Sequence, residues 1–302
     1  MMLKLLADAG RAFSEDNAFK LSASLSYYTL FALGPLLIIV ISLAGIFFGR
    51  DAARGRIYEQ LNELVGNDTA LQIQDIINNI QHSHATTAGA IIGAVVLIIG
   101  ATGVFTEVQG SINFIWSVKA KPKKSWLKYL INRLISFSLV IGLGFLLLAS
   151  LILNTLLNIL SARLIHYFPD YTVSSIHTLN TIIFLVTITG LFAVIFKVLP
   201  DAIISWKDAL IGSSLTAALF LLGKFLIELY LNHSSLGVTY GTAASIVILL
   251  TWVYYSSLIL YFGAEFTKVY ALYAGEGIRP KQTAVFIIKS EAREIPPSRL
   301  TL

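Results

Sequence analysis

The chain has 302 residues, 56% of them hydrophobic and 13% charged, with a mean hydropathy of +0.76 and a formal net charge of +5. A soluble chain of this length carries about a quarter of its residues as charges, so the composition excludes an ordinary water-soluble domain and requires a membrane. Cysteine is absent, which excludes disulfides, thiolate chemistry and cysteine metal sites.

The N-terminal tail mixes charges (Lys4, Asp8, Arg11, Glu15, Asp16, Lys20) ahead of an uncharged run from Leu21 to Gly49. That run starts late, is too long for a signal-peptide core and has no small-residue cleavage motif before the next charges, so it reads as a first membrane helix at about 24–48. Its opening, "LSYYT", places Ser24 and Tyr28 one turn apart, and Gly34-Pro35 then frees a backbone carbonyl and allows a bend. Tyr27 and Tyr28 are either interface anchors before a packing kink or a polar face at the mouth of a cavity. The segment 50–85 carries Ile57, Leu61, Leu64 and Val65, then Ile73, Ile76, Ile77 and Ile80, at helical spacing. Two short amphipathic helices on the outer surface are expected there, with Thr69 and Gln72 as a capping box.

A second span is expected at 86–112, where Gly89 and Gly93 form a GxxxG and Gly100, Gly103 and Gly110 also permit close helix approach. Glu107 lies near its end, flanked by Thr106, Gln109 and Asn113, as a capping carboxylate or the partner of a buried group. The basic loop "SVKAKPKKSWLK" follows, then spans at 130–154, 178–198, 208–231 and 240–266. An outward excursion at 155–177 and a turn at Pro200-Asp201 separate the later ones. In the fifth span Lys224 and Glu228 are one turn apart and can neutralise each other. In the sixth, Thr251, Tyr255 and Leu258 share a face, and Glu265 lies at the depth of Glu107, with Lys197, Lys268 or Arg133 as candidate partners. The tail 273–302 is polar, contains prolines and is expected to be loose.

These elements give an all-α polytopic protein, a bundle of six transmembrane helices in one domain over 1–272, with short amphipathic extracytoplasmic helices. Counting Arg133 and Lys268 as flanks, one side collects 17 Lys and Arg residues and the other four. By the positive-inside rule both termini are cytoplasmic, and the excess positive charge serves anionic lipid rather than nucleic acid. Lys121, Lys123, Lys124 and Arg133 form the expected head-group rim. No HExxH, GxSxG, nucleotide-binding or dinucleotide motif occurs, and His82 and His84, two residues apart, point to different faces of a helix. No cofactor, metal or enzymatic activity is expected.

The residues Ser24, Tyr27, Tyr28 and Pro35, then Asn113 and Trp116, Leu199-Pro200, Trp206, Gly212, Tyr230, Tyr240-Gly241, and finally Trp252, Tyr254 and Gly263-Ala264-Glu265 occur in a familiar order. In these motifs, over about residues 10–272, the chain resembles the YihY/BrkB family of bacterial inner-membrane proteins. One departure is Gly34, where the family often has a bulkier residue. The resemblance implies six helices with both ends inside, and a role in envelope lipid or lipopolysaccharide export or in serum resistance. Many members carry an old ribonuclease BN label, which fits poorly here, because that activity belongs to soluble zinc enzymes with histidine and aspartate clusters.

Ionisable groups inside the bilayer are the best pointers to function. The leading expectation is a transporter or flippase-like protein for a lipid or amphiphilic envelope component, with Tyr27, Tyr28, Glu107, Lys224, Glu228, Tyr255 and Glu265 lining its path. Energy would come from a gradient or an envelope protein partner. The alternatives are a non-transporting membrane scaffold and an intramembrane enzyme, for which no converging catalytic groups are visible.

Overall fold

The computed structural model describes residues 1–32, 70, 71, 74, 103–121, 138, 142, 169–233 and 244–289. Helix α1 spans Met2–Glu15. It forms because Leu5, Ala9 and Phe13 recur every four residues and give one apolar stripe, all three buried. Leu5 and Ala9 pack on Phe266, with Phe262 and Tyr270 at the margin. Burial of a large apolar side chain contributes about 1.5–3 kcal/mol, so this stripe is enough to hold a helix that the sequence suggested only as a charged tail. Asn17 ends α1 with φ of 53°, a left-handed conformation that Asn tolerates better than most residues. The chain turns there into helix α2, residues 18–32.

Helix α3 covers 103–115 and is stopped in the same way by Ser117 at φ 56°. Strand β1, Val118–Ala120, follows. Helix α4 runs over Pro169–Val198, starting nine residues before the expected 178, with proline at the first position, where its missing N–H leaves no bond unmade. After strand β2, Ala202–Ile203, helix α5 spans Trp206–His233. Its first turn is capped by Ser205, whose hydroxyl accepts the Asp208 N–H at 3.1 Å. Helix α6, Ala244–Tyr273, extends seven residues past the expected end at 266.

Among the described residues three helices are long and apolar enough to cross a membrane, over Thr181–Val198, Trp206–Ile227 and Ile246–Tyr273. The first two expected spans are seen only as α2 and α3. The expected span at 130–154 and the outer segment 50–85 lie outside the described residues but for isolated helical positions. Helices α3, α4 and α6 finish, and α2 and α5 begin, at one common end of the bundle.

At that end the all-α expectation is incomplete. Strand β3, Arg279–Pro280, pairs antiparallel with β2, and β4, Ala284–Phe286, pairs antiparallel with β1. The register sets Val118 against Phe286 and Ala202 against Pro280. The segment after 273, expected to be loose, is therefore tied down as far as these strands reach. Its polar composition hid this, because two- and three-residue strands leave no alternating pattern long enough to read.

The bundle is held by close packing between α5 and α6. A Cβ added at Gly212 would stand 1.9 Å from Thr267 Oγ1, and one at Gly263 would stand 2.0 Å from Thr216 Oγ1. Each threonine donates its hydroxyl hydrogen to the carbonyl four residues earlier, Thr216 to Gly212 and Thr267 to Gly263, both at 2.7 Å. The polar atoms are thus satisfied within their own helix while the backbones approach, which is how apolar surroundings favour small residues at helix contacts. Around Gly103 and Gly110 no described residue outside their own helix lies within 4 Å of an added Cβ. An aromatic ladder completes the core, Phe196 to Phe192 to Phe220 to Trp252, with successive centroids 6.3, 6.0 and 6.2 Å apart.

Gly263→Ala should lower the thermal midpoint of the detergent-purified protein, by an overpacking cost of about 1–3 kcal/mol. Adding Thr216→Ala should recover part of the loss; no recovery would mean that the contact at Gly263 is not what limits this seam.

Candidate polar site at one end of the bundle

Four charged side chains from distant parts of the chain meet where α1, α6 and the C-terminal segment converge. The turn after α1 delivers Asp16, which is buried. Lys268 Nζ on α6 donates to Asp16 Oδ2 at 3.2 Å and to Glu265 Oε2 at 3.0 Å. Lys289, just beyond β4, reaches the same Asp16 oxygen at 2.5 Å and donates to the Ile115 carbonyl at 3.2 Å. Its ammonium also lies 4.5 Å from the centre of the Phe114 ring. The Glu265 side chain is 0% exposed.

Burial alone would push the Asp16 carboxyl upward, but hydrogen bonds with Glu265 and Lys289 and the charges of Lys268 and Lys289 outweigh it and hold the group below its ordinary value. Burial pulls the Lys289 ammonium down, and Asp16 restores only part of the difference.

A second polar knot lies beside the first. Asn113 on α3 donates through Nδ2 to Asp201 Oδ2 at 3.0 Å and accepts the Asp201 backbone N–H at 2.7 Å. Gln109 Nε2 also approaches Asp201 Oδ2, at 3.4 Å, and Lys281 N–H donates to the Asp201 carbonyl at 2.9 Å. The next motif residue, Trp116, donates its indole N–H to the Ala264 carbonyl at 3.0 Å. Motifs far apart in sequence thus meet here: Asn113 and Trp116, the Leu199-Pro200 turn, and Gly263-Ala264-Glu265.

The expected path residues divide. Glu107 is half-buried and accepts from Ser24 Oγ at 2.6 Å, so its observed partner is on α2 and not Glu265. Tyr27 and Tyr28 are exposed, with ring centroids 5.9 Å apart. Lys224 is half-buried with Nζ 5.7 Å from the centre of the Phe184 ring. Tyr255 lies against the residue just before Lys224, since a Cβ at Gly223 would meet its Cε1 at 2.6 Å. Glu228 is on α5, and its side chain is outside the described set. Of the three partners expected for Glu265, Lys268 is found, whereas Lys197 donates to the Ile204 carbonyl and lies 5.5 Å from the centre of the Trp206 ring. Lys121 is exposed and its N–H donates to the Thr283 carbonyl at 2.8 Å. Gly34, Pro35, Lys123, Lys124 and Arg133 lie outside the described residues.

Sequence reasoning missed Asp16, Lys289 and Asp201 as site residues. The first two were absorbed into charged tails, and nothing short of tertiary contact separates them from neighbours such as Glu15. Asp201 had a signal, its place after Leu199-Pro200, but no indication of its partner. Among the described residues no group of three His, Asp or Glu side chains could hold a metal.

Long apolar helices with self-satisfied hydroxyls and charges gathered at one end define an α-helical membrane protein. The profile of the virulence factor BrkB family matches residues 9–286, and the chain belongs to that family. It is 28% identical over 263 residues to a UPF0761 membrane protein of Saccharophagus degradans, covering 86% of this chain and 58% of the relative. It is likewise 28% identical over 267 residues to one from Psychromonas ingrahamii, covering 85% and 84%. The chain therefore spans little more than half of some relatives and most of others. No solved structure matches it.

Asp16→Asn removes the carboxylate that Lys268 and Lys289 share, leaving Lys289 with the Ile115 carbonyl and Lys268 with Glu265, and should lower stability by roughly 3 kcal/mol at neutral pH. Lys289→Met, which leaves Asp16 with Lys268, should cost less. Both displaced groups bind fewer protons folded than unfolded, so stability should rise with pH through their ranges. The Asp16 contribution is present above its ordinary value and lost as pH falls below it; thermal unfolding against pH should show a shallower acid limb in Asp16→Asn.

Proposed function

We propose that this protein is a transporter or flippase-like protein that handles a lipid or other amphiphilic envelope component in the bacterial inner membrane. It crosses six times, with the end bearing α1 and the β pairs in the cytoplasm and anionic lipid at its basic rim. It acts without a cofactor and is not an enzyme. The observation that carries the reading is that ionisable side chains sit half-buried on apolar helices, Glu107 held by Ser24 and Lys224 beside Phe184. Such groups are retained in membrane helices chiefly where they line a polar path or pair within the protein. Tyr255 of α6 packs against α5 at Gly223, where its hydroxyl would lie 3.0 Å from an added Cβ.

One observation favours a second reading, a scaffold that organises partners without transport: the Asp16, Glu265, Lys268 and Lys289 side chains are closed upon one another. A scaffold needs only such closed contacts, whereas a transporter needs polar groups that open to lipid or water.

Lys224→Ala, Glu228→Ala and the double variant, assayed for lipid export alongside protein level, separate the two. Transport through this region predicts a drop of roughly tenfold in each single variant at unchanged protein level, the effect of losing one charge-assisted contact. Full export by all three sinks the assigned role of these residues.

A further inference from the structure

The charged cluster contains an oxygen without a partner. Glu265 Oε2 accepts from Lys268, but Oε1, buried on a side chain with no exposure, has no hydrogen-bond partner among the described residues. An ionised carboxylate is an acceptor only, and a bare buried acceptor loses about 1–3 kcal/mol of solvation. The neighbouring carboxyl is Asp16, which shares the Lys268 ammonium with Glu265, and two carboxyl groups can bond to one another only when one of them carries the proton.

Which one carries it follows from the contacts. Both ammonium groups, Lys268 and Lys289, converge on Asp16 Oδ2, at 3.2 and 2.5 Å. The negative charge is thus placed on Asp16, while Glu265 touches one ammonium through the oxygen that is already satisfied. The charged groups recorded around Glu265 are Asp16 from the turn after α1, Lys268 from α6 itself and Lys289 from the C-terminal segment. The contacts recorded from α3 and α5 in this stretch of α6 are neutral. Ile115 offers its carbonyl to Lys289, Trp116 donates to Ala264, and Thr216 lies against Gly263. On α6, one turn earlier, Tyr261 has a buried hydroxyl with no hydrogen-bond partner among the described residues.

We propose that Glu265 and Asp16 form a proton-binding site, in which Glu265 holds a hydrogen on Oε1 and donates it to the Asp16 carboxylate. The bound ligand is a proton from the aqueous phase. The site joins the turn after α1, the last long helix and the C-terminal segment. Its loss on deprotonation sets two carboxylates against each other beneath Lys268 and Lys289. The cluster is then two ammoniums, one carboxylate and one neutral acid when occupied, and two ammoniums with two carboxylates when empty. This inference rests on the cluster alone and not on the transport reading.

The test uses the full chain reconstituted in phosphatidylethanolamine and phosphatidylglycerol vesicles, followed by infrared spectroscopy across a pH series. The carbonyl stretch of a protonated, water-excluded carboxyl should be present at neutral pH, disappear on alkalinisation and be absent from Glu265→Gln. In Asp16→Asn the pH at which the band is lost should move, because the acceptor charge is gone. A thermal-unfolding comparison supplies the second readout. Glutamine can donate an N–H where the acid donates its O–H, so Glu265→Gln should be as stable as the native chain at neutral pH and insensitive to the alkaline change.

A native chain without the band at neutral pH overturns the proposal, as does a Glu265→Gln protein that fails to fold or is markedly less stable, since that is the behaviour of a broken ion pair. Export by a native chain that lacks the band would remove the proton site and leave transport standing; the band without export would do the reverse.

Discussion

Asp16 is the point at which α1 and the segment just after β4 are fastened to α6. Its carboxylate takes an ammonium from α6 and another from the segment after β4, and the elbow that presents it exists because Asn17 accepts a left-handed backbone. Helix α1 buries its Leu5 and Ala9 stripe against Phe266, one position from Glu265. The apolar contact brings α1 close enough for the ion pairs to form, and the ion pairs fix its depth along α6. Neither would suffice alone: exposed pairs contribute little, and one apolar stripe permits sliding by a turn.

Above this end the constraint changes from charge to size. In an apolar medium there is no hydrophobic gain from bringing two helices together, so association depends on close contact and on leaving no backbone group unmet. The pairs Gly212 with Thr267 and Gly263 with Thr216 meet both demands in reciprocal fashion. The threonine hydroxyls turn inward to their own helix, and the glycines supply the space that the threonine side chains fill. Glu265 is two residues from Gly263 and two from Thr267, so the rigidity of that seam is also what holds the buried carboxyl in place.

The fold was legible where one physical signal dominated. Uncharged runs longer than a bilayer pointed to α4 and α6, and an apolar run interrupted by Lys224 and Glu228 to α5; the helices differ from these spans by several residues because hydropathy reports the membrane and not the helix. Helix α6 continues beyond Glu265 through Lys268 to Tyr273, and that extra length creates the site. The β pairs were invisible because they are two or three residues long and their partners are far away in sequence. Glu265 was found by its isolation in an apolar run, and its partner Lys268 by proximity. Asp16 and Lys289 were not separable from tail charges, for their role depends on a turn and a strand pairing that no local pattern encodes.

That misassignment bears on how the basic surface is read. By sequence alone every lysine and arginine at this end counts alike, as a topological signal and as a lure for anionic lipid. In the fold they divide. Lys268 and Lys289 are spent on Asp16, Lys197 on the Ile204 carbonyl and the Trp206 ring, and Lys281 donates to the Val198 carbonyl at 3.2 Å. Arg11, Lys20, Lys119, Lys121, Lys207 and Arg279 remain exposed. Only charges of this second kind can draw a head group, since those of the first have already exchanged water for protein partners and lie under its dielectric shield. If the basic rim holds anionic lipid as proposed, substitutions that remove surface charge act on that affinity and its salt dependence, whereas those in the first group act on stability. An experiment that neutralises both kinds together would mix two effects of different origin.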